Sequence, residues 1–243
     1  MLDFKVSPQE RIIVALDCGE ARALALATQL KGHASWLKVG MTLYYQVGPA
    51  IVARLKDMGF KVFVDLKLHD IPHQVKGAAC ALTHAGADML TMHCSGSLAM
   101  LKAGEAGVRE AAAEQGIIKP ITLGITVLTS INEAALNSIG VMRDCNDQVA
   151  ALGKIAYDAG LSGIVCSPHE AKRWRQNWSD AVIVTPGIRP LSTKNEDQMR
   201  TATPAIAIKD GASHLVVGRP ITATTDPLAA FFSIKNELTN VAT

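Results

Sequence analysis

Eight short, nearly continuous apolar runs punctuate the chain, and most are followed by a longer, alanine-rich stretch with helical spacing. The runs cover residues 12–17, 36–40, 61–67, 87–93, 121–128, 163–167, 182–186 and 214–218. Their lack of polar alternation predicts strands covered on both faces, as in a parallel sheet. Helices are predicted over residues 20–31, 49–58, 74–84, 97–115, 168–174, 203–209 and 226–238. Another helical stretch opens at Asn132, breaks around Gly140, restarts near Asp147 and ends at Ala159-Gly160. Pro49 and Pro227 suit a first helical turn, Asp226 suits an N-cap, and Gly86 and Gly116 suit chain reversal just past a helix.

Strand and helix therefore alternate, which predicts an α/β architecture. Eight repeats favour a closed (β/α)8 TIM barrel over an open doubly wound sheet. The first strand runs into Leu16-Asp17-Cys18-Gly19-Glu20-Ala21 rather than GxGxxG, so the dinucleotide fingerprint is missing. No linker or low-complexity segment divides the sequence, and one domain over residues 1–243 is expected.

Composition narrows the function classes. With 49% hydrophobic and 19% charged residues, a chain of 243 residues can bury a full core. Its 24 basic and 22 acidic residues leave a net charge of +2, which makes no whole-chain case for nucleic acid or a membrane. A few local cations could still hold a small anion. Cys18, Cys80, Cys94, Cys145 and Cys166 show no CxxC spacing and are expected as buried, reduced thiols of a cytoplasmic protein. The opening MLDFKVSPQER has no long apolar core, which speaks against a secretory signal, and no run is long enough to span a bilayer.

Candidate chemistry gathers where such barrels keep it, at the C-terminal strand ends. Asp17 ends the first strand, Lys38 lies on the second, and the third ends in Asp65-Leu66-Lys67. Period-two alternation turns Asp65 and Lys67 the same way, into the mouth, within reach of Lys38. Two lysines and two aspartates together would relieve the cost of burying either charge alone. A structural salt-bridge cluster on the rim is the plainer alternative. After strands seven and eight, Gly187 and Gly218 allow close backbone approach to an anion and Arg219 can fork onto a phosphate, with Arg189 in the seventh loop; the plainer alternative is that the glycines only turn the chain and Arg219 lies on the surface. The polar stretch from Leu191 to Gln198 reads as a lid over the ligand. His93 reads as a positioning or structural residue, and Met41, Tyr44 and Tyr45 as loop or interface packing.

The run Asp65-Leu66-Lys67-Leu68-His69-Asp70-Ile71-Pro72 resembles the DxKxxDIP signature of the orotidine 5'-monophosphate decarboxylase family. VALD at 14–17, LKVG at 37–40, TVLTS at 126–130, TPGIR at 185–189 and VVGRP at 216–220 agree in order and spacing with its bacterial branch over nearly the whole chain. DxKxxD alone is shared with phosphosugar decarboxylases of related barrels; the added elements make the resemblance specific. It implies decarboxylation of orotidine 5'-monophosphate to uridine 5'-monophosphate, with neither metal nor organic cofactor. By the same resemblance Lys67 is the proton donor, Asp65 lies beside the substrate carboxylate, and Asp17 and Lys38 bind ribose. Thr129 lies by the pyrimidine, Pro186 is counted among the substrate-binding residues, and Gln198, Gly218 and Arg219 bind phosphate, with Arg189 in the same region. Asp70 would cross into the neighbouring subunit's site, making a homodimer with shared active sites, and Ile71 is counted among the substrate-binding residues.

The chemistry is consistent with those parts. Loss of CO2 from C6 leaves a carbanion in the ring plane, which fixed charge must stabilise. An ammonium is both charge and proton source, and Asp65 and Asp70 are expected to keep it ionised. Two rivals are a metal-dependent sugar-phosphate lyase on the same barrel and a non-catalytic phosphate-ligand sensor. Lys38 in place of a carboxylate argues against the first, and the Asp65, Lys67 and Asp70 set against the second.

Overall fold

The computed structural model describes residues 6–190 and 202–240. Its strands are β1 (Ile12–Ala15), β2 (Trp36–Gly40), β3 (Lys61–Leu68), β4 (Met89–His93), β5 (Ile121–Ile125), β6 (Gly163–Val165), β7 (Val182–Thr185) and β8 (His214–Val217). All eight lie within or against the apolar runs that predicted them. β1, β5, β6, β7 and β8 stop earlier, because the chain leaves the sheet there to form the mouth loops. The strands pair in parallel in sequence order, and β1 pairs with β8, with Ile12 opposite Leu215 and Val14 opposite Val217. That last pairing closes the barrel and excludes the open doubly wound sheet.

Between the strands run α1 (Glu20–Leu30), α2 (Met41–Val47), α3 (Ala50–Asp57), α4 (Pro72–His84), α5 (Leu98–Gln115), α6 (Glu133–Ser138), α7 (Cys145–Asp158), α8 (Pro168–Asn177), α9 (Pro204–Lys209), α10 (Arg219–Thr222) and α11 (Pro227–Thr239). Several starts are set by side-chain caps. Asp226 Oδ1 accepts the Ala229 N–H at 2.9 Å, and Asp144 Oδ1 accepts the Asp147 N–H at 2.8 Å. Gly116, at φ +63°, ends α5. Helices α2 and α10 were not anticipated, and Met41, Tyr44 and Tyr45 lie on α2 rather than in a loop.

Two apolar layers hold the barrel. Ile13, Trp36, Phe63, Met89, Leu123 and Val184 fill its interior, while the strands' other face packs against the helices. Burying each large side chain contributes about 1.5–3 kcal/mol. Helices α4 and α5 approach closely at Gly107, where a Cβ would meet the Lys76 carbonyl oxygen at 2.3 Å. This tight pair anchors the loop that follows β3. None of the five cysteines is in a disulfide, and only Cys94 and Cys166 are buried; Cys18, Cys80 and Cys145 are half-buried. Among the described residues no helix is long and apolar enough to cross a membrane.

Candidate active site

A cavity of about 550 Å³ opens at the C-terminal ends of the strands. Apolar side chains line its base, with Phe63, Ile125, Val165 and Val216 among them. Asp17, Lys38, Asp65 and Lys67 line one side; Thr129, Pro186, Arg189, Gly218 and Arg219 line the rest. Nine of the twelve candidates read from the sequence therefore share one space. Asp70 and Ile71 do not line it: both are exposed, and the Asp70 carboxylate accepts the Ile71 N–H at 2.6 Å. Gln198 and the stretch read as a lid lie outside the described residues.

The charged side is an alternating chain. Asp17 Oδ1 lies 2.7 Å from Lys38 Nζ, Lys38 Nζ lies 3.6 Å from Asp65 Oδ2, and Asp65 Oδ1 lies 2.9 Å from Lys67 Nζ. The second aspartate of the network is thus Asp17. Among the described residues of this chain, Asp70 makes no ion pair with Lys67. Its backbone turns out of the mouth after β3, and Pro72 begins α4.

Burial alone would raise the Asp65 carboxyl pKa, since its side chain is only 13% exposed. The charges of Lys38 and Lys67, with hydrogen bonds from Lys67 and Thr91, outweigh that effect and hold it below the ordinary carboxylate value. The site therefore keeps a fixed anion between two ammonium groups. His93, at the end of β4, is pushed down by burial and then by the nearby His69 and Lys67. Its ring stacks on His69 with centroids 5.3 Å apart, and its Nδ1 lies 2.7 Å from Ser95 Oγ.

Lys67 does not reach the mouth by plain alternation. Val64 of β3 faces Leu90 of β4, and the next pairing is Leu68 with Met92, so β3 spends two additional residues over that interval. The resulting bulge gives Lys67 a φ of +53°, a left-handed conformation that costs a non-glycine residue about 1–2 kcal/mol. Thr91, fully buried on β4, spans the bulge: its Oγ1 accepts the Lys67 N–H at 2.9 Å and donates to Asp65 Oδ1 at 3.0 Å. Sequence reasoning missed Thr91. A lone hydroxyl in the apolar run Met-Leu-Thr-Met was the available signal, yet buried threonines also occur at 122, 126 and 185.

Gly40, at the end of β2, was also missed as a spatial requirement. A Cβ there would sit 2.7 Å from Asp17 Oδ1 and 3.1 Å from Lys38 Nζ. Its missing side chain lets that ion pair lie against the backbone. On the opposite wall Gly187 adopts φ +79°, and Gly218 precedes α10, so Arg219 opens a short helix at the rim. Arg189 N–H donates to the Ala202 carbonyl at 3.0 Å, and Ala202 N–H to that of Gly187 at 3.3 Å. Those bonds fix the seventh loop where it borders the cavity.

Among the described residues no three His, Cys, Asp or Glu side chains converge as metal ligands. Instead Asp17 and Asp65 each face an ammonium within 3.6 Å. The arrangement offers fixed charge of both signs beside an apolar base, with two arginines on the far wall. A planar, anionic molecule with a remote second anion suits such a space.

Residues 10–234 match the model of the Orotidine 5'-phosphate decarboxylase / HUMPS family. Orotidine 5'-phosphate decarboxylase of Moorella thermoacetica is 44% identical over 237 residues, covering 96% of this chain and 94% of that one. The enzyme of the same name from Nitrosococcus oceani is 43% identical over 235 residues, covering 96% and 99%. Among solved structures, orotidine 5'-phosphate decarboxylase from Lactobacillus acidophilus superposes with a TM-score of 0.83 at 38% identity, over 94% of this chain and 98% of that one.

Proposed function

The chain belongs to the Orotidine 5'-phosphate decarboxylase / HUMPS family, and on that premise we propose how its residues work. It is a carboxy-lyase that converts orotidine 5'-monophosphate to uridine 5'-monophosphate and CO2 in pyrimidine biosynthesis, as one barrel domain in the cytoplasm. The observation that carries the reading is the unbroken Asp17–Lys38–Asp65–Lys67 charge chain along the cavity wall.

In this mechanism the bond from C6 to the carboxyl carbon breaks and its electron pair stays on C6. The Lys67 ammonium opposes that charge and then transfers a proton from Nζ to C6, forming the new C–H bond. Solvent returns a proton to the amine after CO2 leaves. Asp65 supplies the counter-charge beside Lys67 and faces the substrate carboxylate. Asp17 and Lys38 bind the ribose hydroxyls, and Thr129 and Pro186 flank the pyrimidine. Gly218, Arg219, Arg189 and Gln198 hold the phosphate, whose remote binding energy organises the charged wall. No cofactor is required, because the groups that meet the developing charge are the chain's own ammoniums.

Asp70 and Ile71 act in the site of a second copy, giving a homodimer with shared active sites. Their exposure outside their own cavity supports this, Ile71 being 62% exposed. One set of assays tests the reading. Purified, metal-stripped protein is expected to consume orotidine 5'-monophosphate, followed by absorbance. Lys67→Ala is expected to lower turnover by at least about ten-thousandfold with the fold intact. Mixing Lys67→Ala with Asp70→Ala is expected to restore part of the activity through hybrid dimers. Near-normal turnover in Lys67→Ala overturns the proton-donor assignment, and absence of recovery after confirmed subunit exchange overturns the shared site.

A further inference from the structure

We propose that Thr91 is the positioning residue for the proton-transferring lysine, an inference that rests on the function proposed above. The argument begins with the backbone. In a regular parallel ladder successive residues turn their N–H groups to opposite neighbours: Lys61 N–H donates to the Ser35 carbonyl on the β2 side and the Val62 carbonyl accepts the Asp88 N–H on the β4 side, so the Lys67 N–H would face β2, whose last pairing is Gly40 with Asp65. The two additional residues of β3 between Val64 and Leu68 break that alternation and turn the donor toward β4, outside the regular ladder. A buried N–H without an acceptor is costly. Thr91 Oγ1 takes that place, 2.9 Å from Lys67 N.

The same oxygen fixes the far end of the lysine. A hydroxyl has one proton to donate. Thr91 gives it to Asp65 Oδ1 at 3.0 Å, the oxygen that meets Lys67 Nζ at 2.9 Å. The other carboxylate oxygen, Oδ2, is left to Lys38 at 3.6 Å. One side chain thereby sets the backbone of Lys67 and also decides which oxygen of Asp65 faces which ammonium. The left-handed φ of +53° makes this grip necessary, since the sterically relaxed conformation of a lysine would aim Nζ elsewhere. Thr91 itself has no freedom to drift: it is fully buried and lies between Leu90 and Met92, both also fully buried.

Thr91→Val keeps the shape and removes the hydroxyl; Thr91→Ser keeps the hydroxyl and removes a methyl. With the wild type active and Lys67→Ala inactive, so that the underlying reading stands, Thr91→Val is expected to lose on the order of 10- to 100-fold in kcat. Its KM is expected to stay within about threefold, because ribose and phosphate contacts lie elsewhere. Thr91→Ser is expected to recover kcat to within about threefold of wild type. A Thr91→Val enzyme with kcat within threefold of wild type overturns the proposal, as does a Thr91→Ser enzyme as impaired as Thr91→Val. If Thr91→Val does not fold, Thr91→Ser decides alone: near-wild-type kcat supports the hydroxyl's role, and a loss beyond about tenfold in folded protein overturns it.

Discussion

Two carboxylates in this barrel keep nearly the same company in different settings. Asp65, at the mouth, has two lysines and the Thr91 hydroxyl around it. Glu105, on α5 toward the opposite end, has Lys119 at 2.6 Å, Arg109 at 3.5 Å and the Thr122 hydroxyl at 2.7 Å. Both side chains are largely buried, 13% and 4% exposed. The difference lies in what the cations face. Lys119 also reaches Ser162 at 3.5 Å, and the whole group ties α5 to the strands without bordering the mouth cavity. Lys67 borders that cavity on a strained backbone. Similar pairing chemistry therefore ties elements together in one place and borders open volume in the other, where the proposed reaction would use it.

Neutralising each carboxylate should separate the two roles. Asp65→Asn is expected to cost about a thousandfold in kcat, near 4 kcal/mol, while its urea midpoint moves far less. Glu105→Gln is expected to show the reverse, losing about 3 kcal/mol of stability with kcat per folded molecule within about twofold. Equal losses of stability in the two variants, read by urea denaturation, would erase the contrast.

A smaller effect sharpens it from the floor of the barrel. His214 is buried edge-on against Trp36, and its Nδ1 has no hydrogen-bond partner among the described residues. Burial first, then the charges of Arg11 and Lys61, hold its pKa down to about 4, with Glu10 opposing weakly. The unfolded histidine, near 6.5, takes up a proton first as pH falls, so the stability from a neutral His214 is complete above 6.5 and is lost between 6.5 and 4. Between pH 7 and pH 5 the loss is expected to be about 2 kcal/mol, measured by urea denaturation. His214→Leu is expected to flatten that slope; an unchanged slope would assign the acid sensitivity to other groups.

Much of this architecture was legible because parallel strands buried on both faces leave apolar runs that need no partner to be recognised. The strand-end rule then gathered Asp17, Lys38, Asp65 and Lys67 correctly. Helix α2 escaped because Met41–Val47 is short, buries only Leu43 and begins after Gly40, which offers no side-chain cap. The bulge escaped for a deeper reason. Asp-Leu-Lys-Leu reads as an ordinary strand, and a lysine at positive φ carries no mark in sequence as a glycine would. Period-two alternation reached the right destination for Lys67 by a route the backbone does not take. A linear motif lists Asp70 beside Lys67 and says nothing of where the chain turns away; its assignment to a neighbouring subunit's site came from the family resemblance alone.

The seam between β1 and β8 has a consequence for how this protein comes into being. Asp17 follows the first strand and Arg219 the last, and Arg22 donates to the Thr222 carbonyl across 200 residues of chain. During synthesis the two flanks of the cavity emerge some 200 residues apart, so the cavity cannot close until β8 has left the ribosome. Until then β1 and β7 are raw borders, open to pairing with another nascent polypeptide. Such long-range closure is slow relative to local helix formation, which makes the interval before docking of β8 the period in which chaperone assistance would matter most.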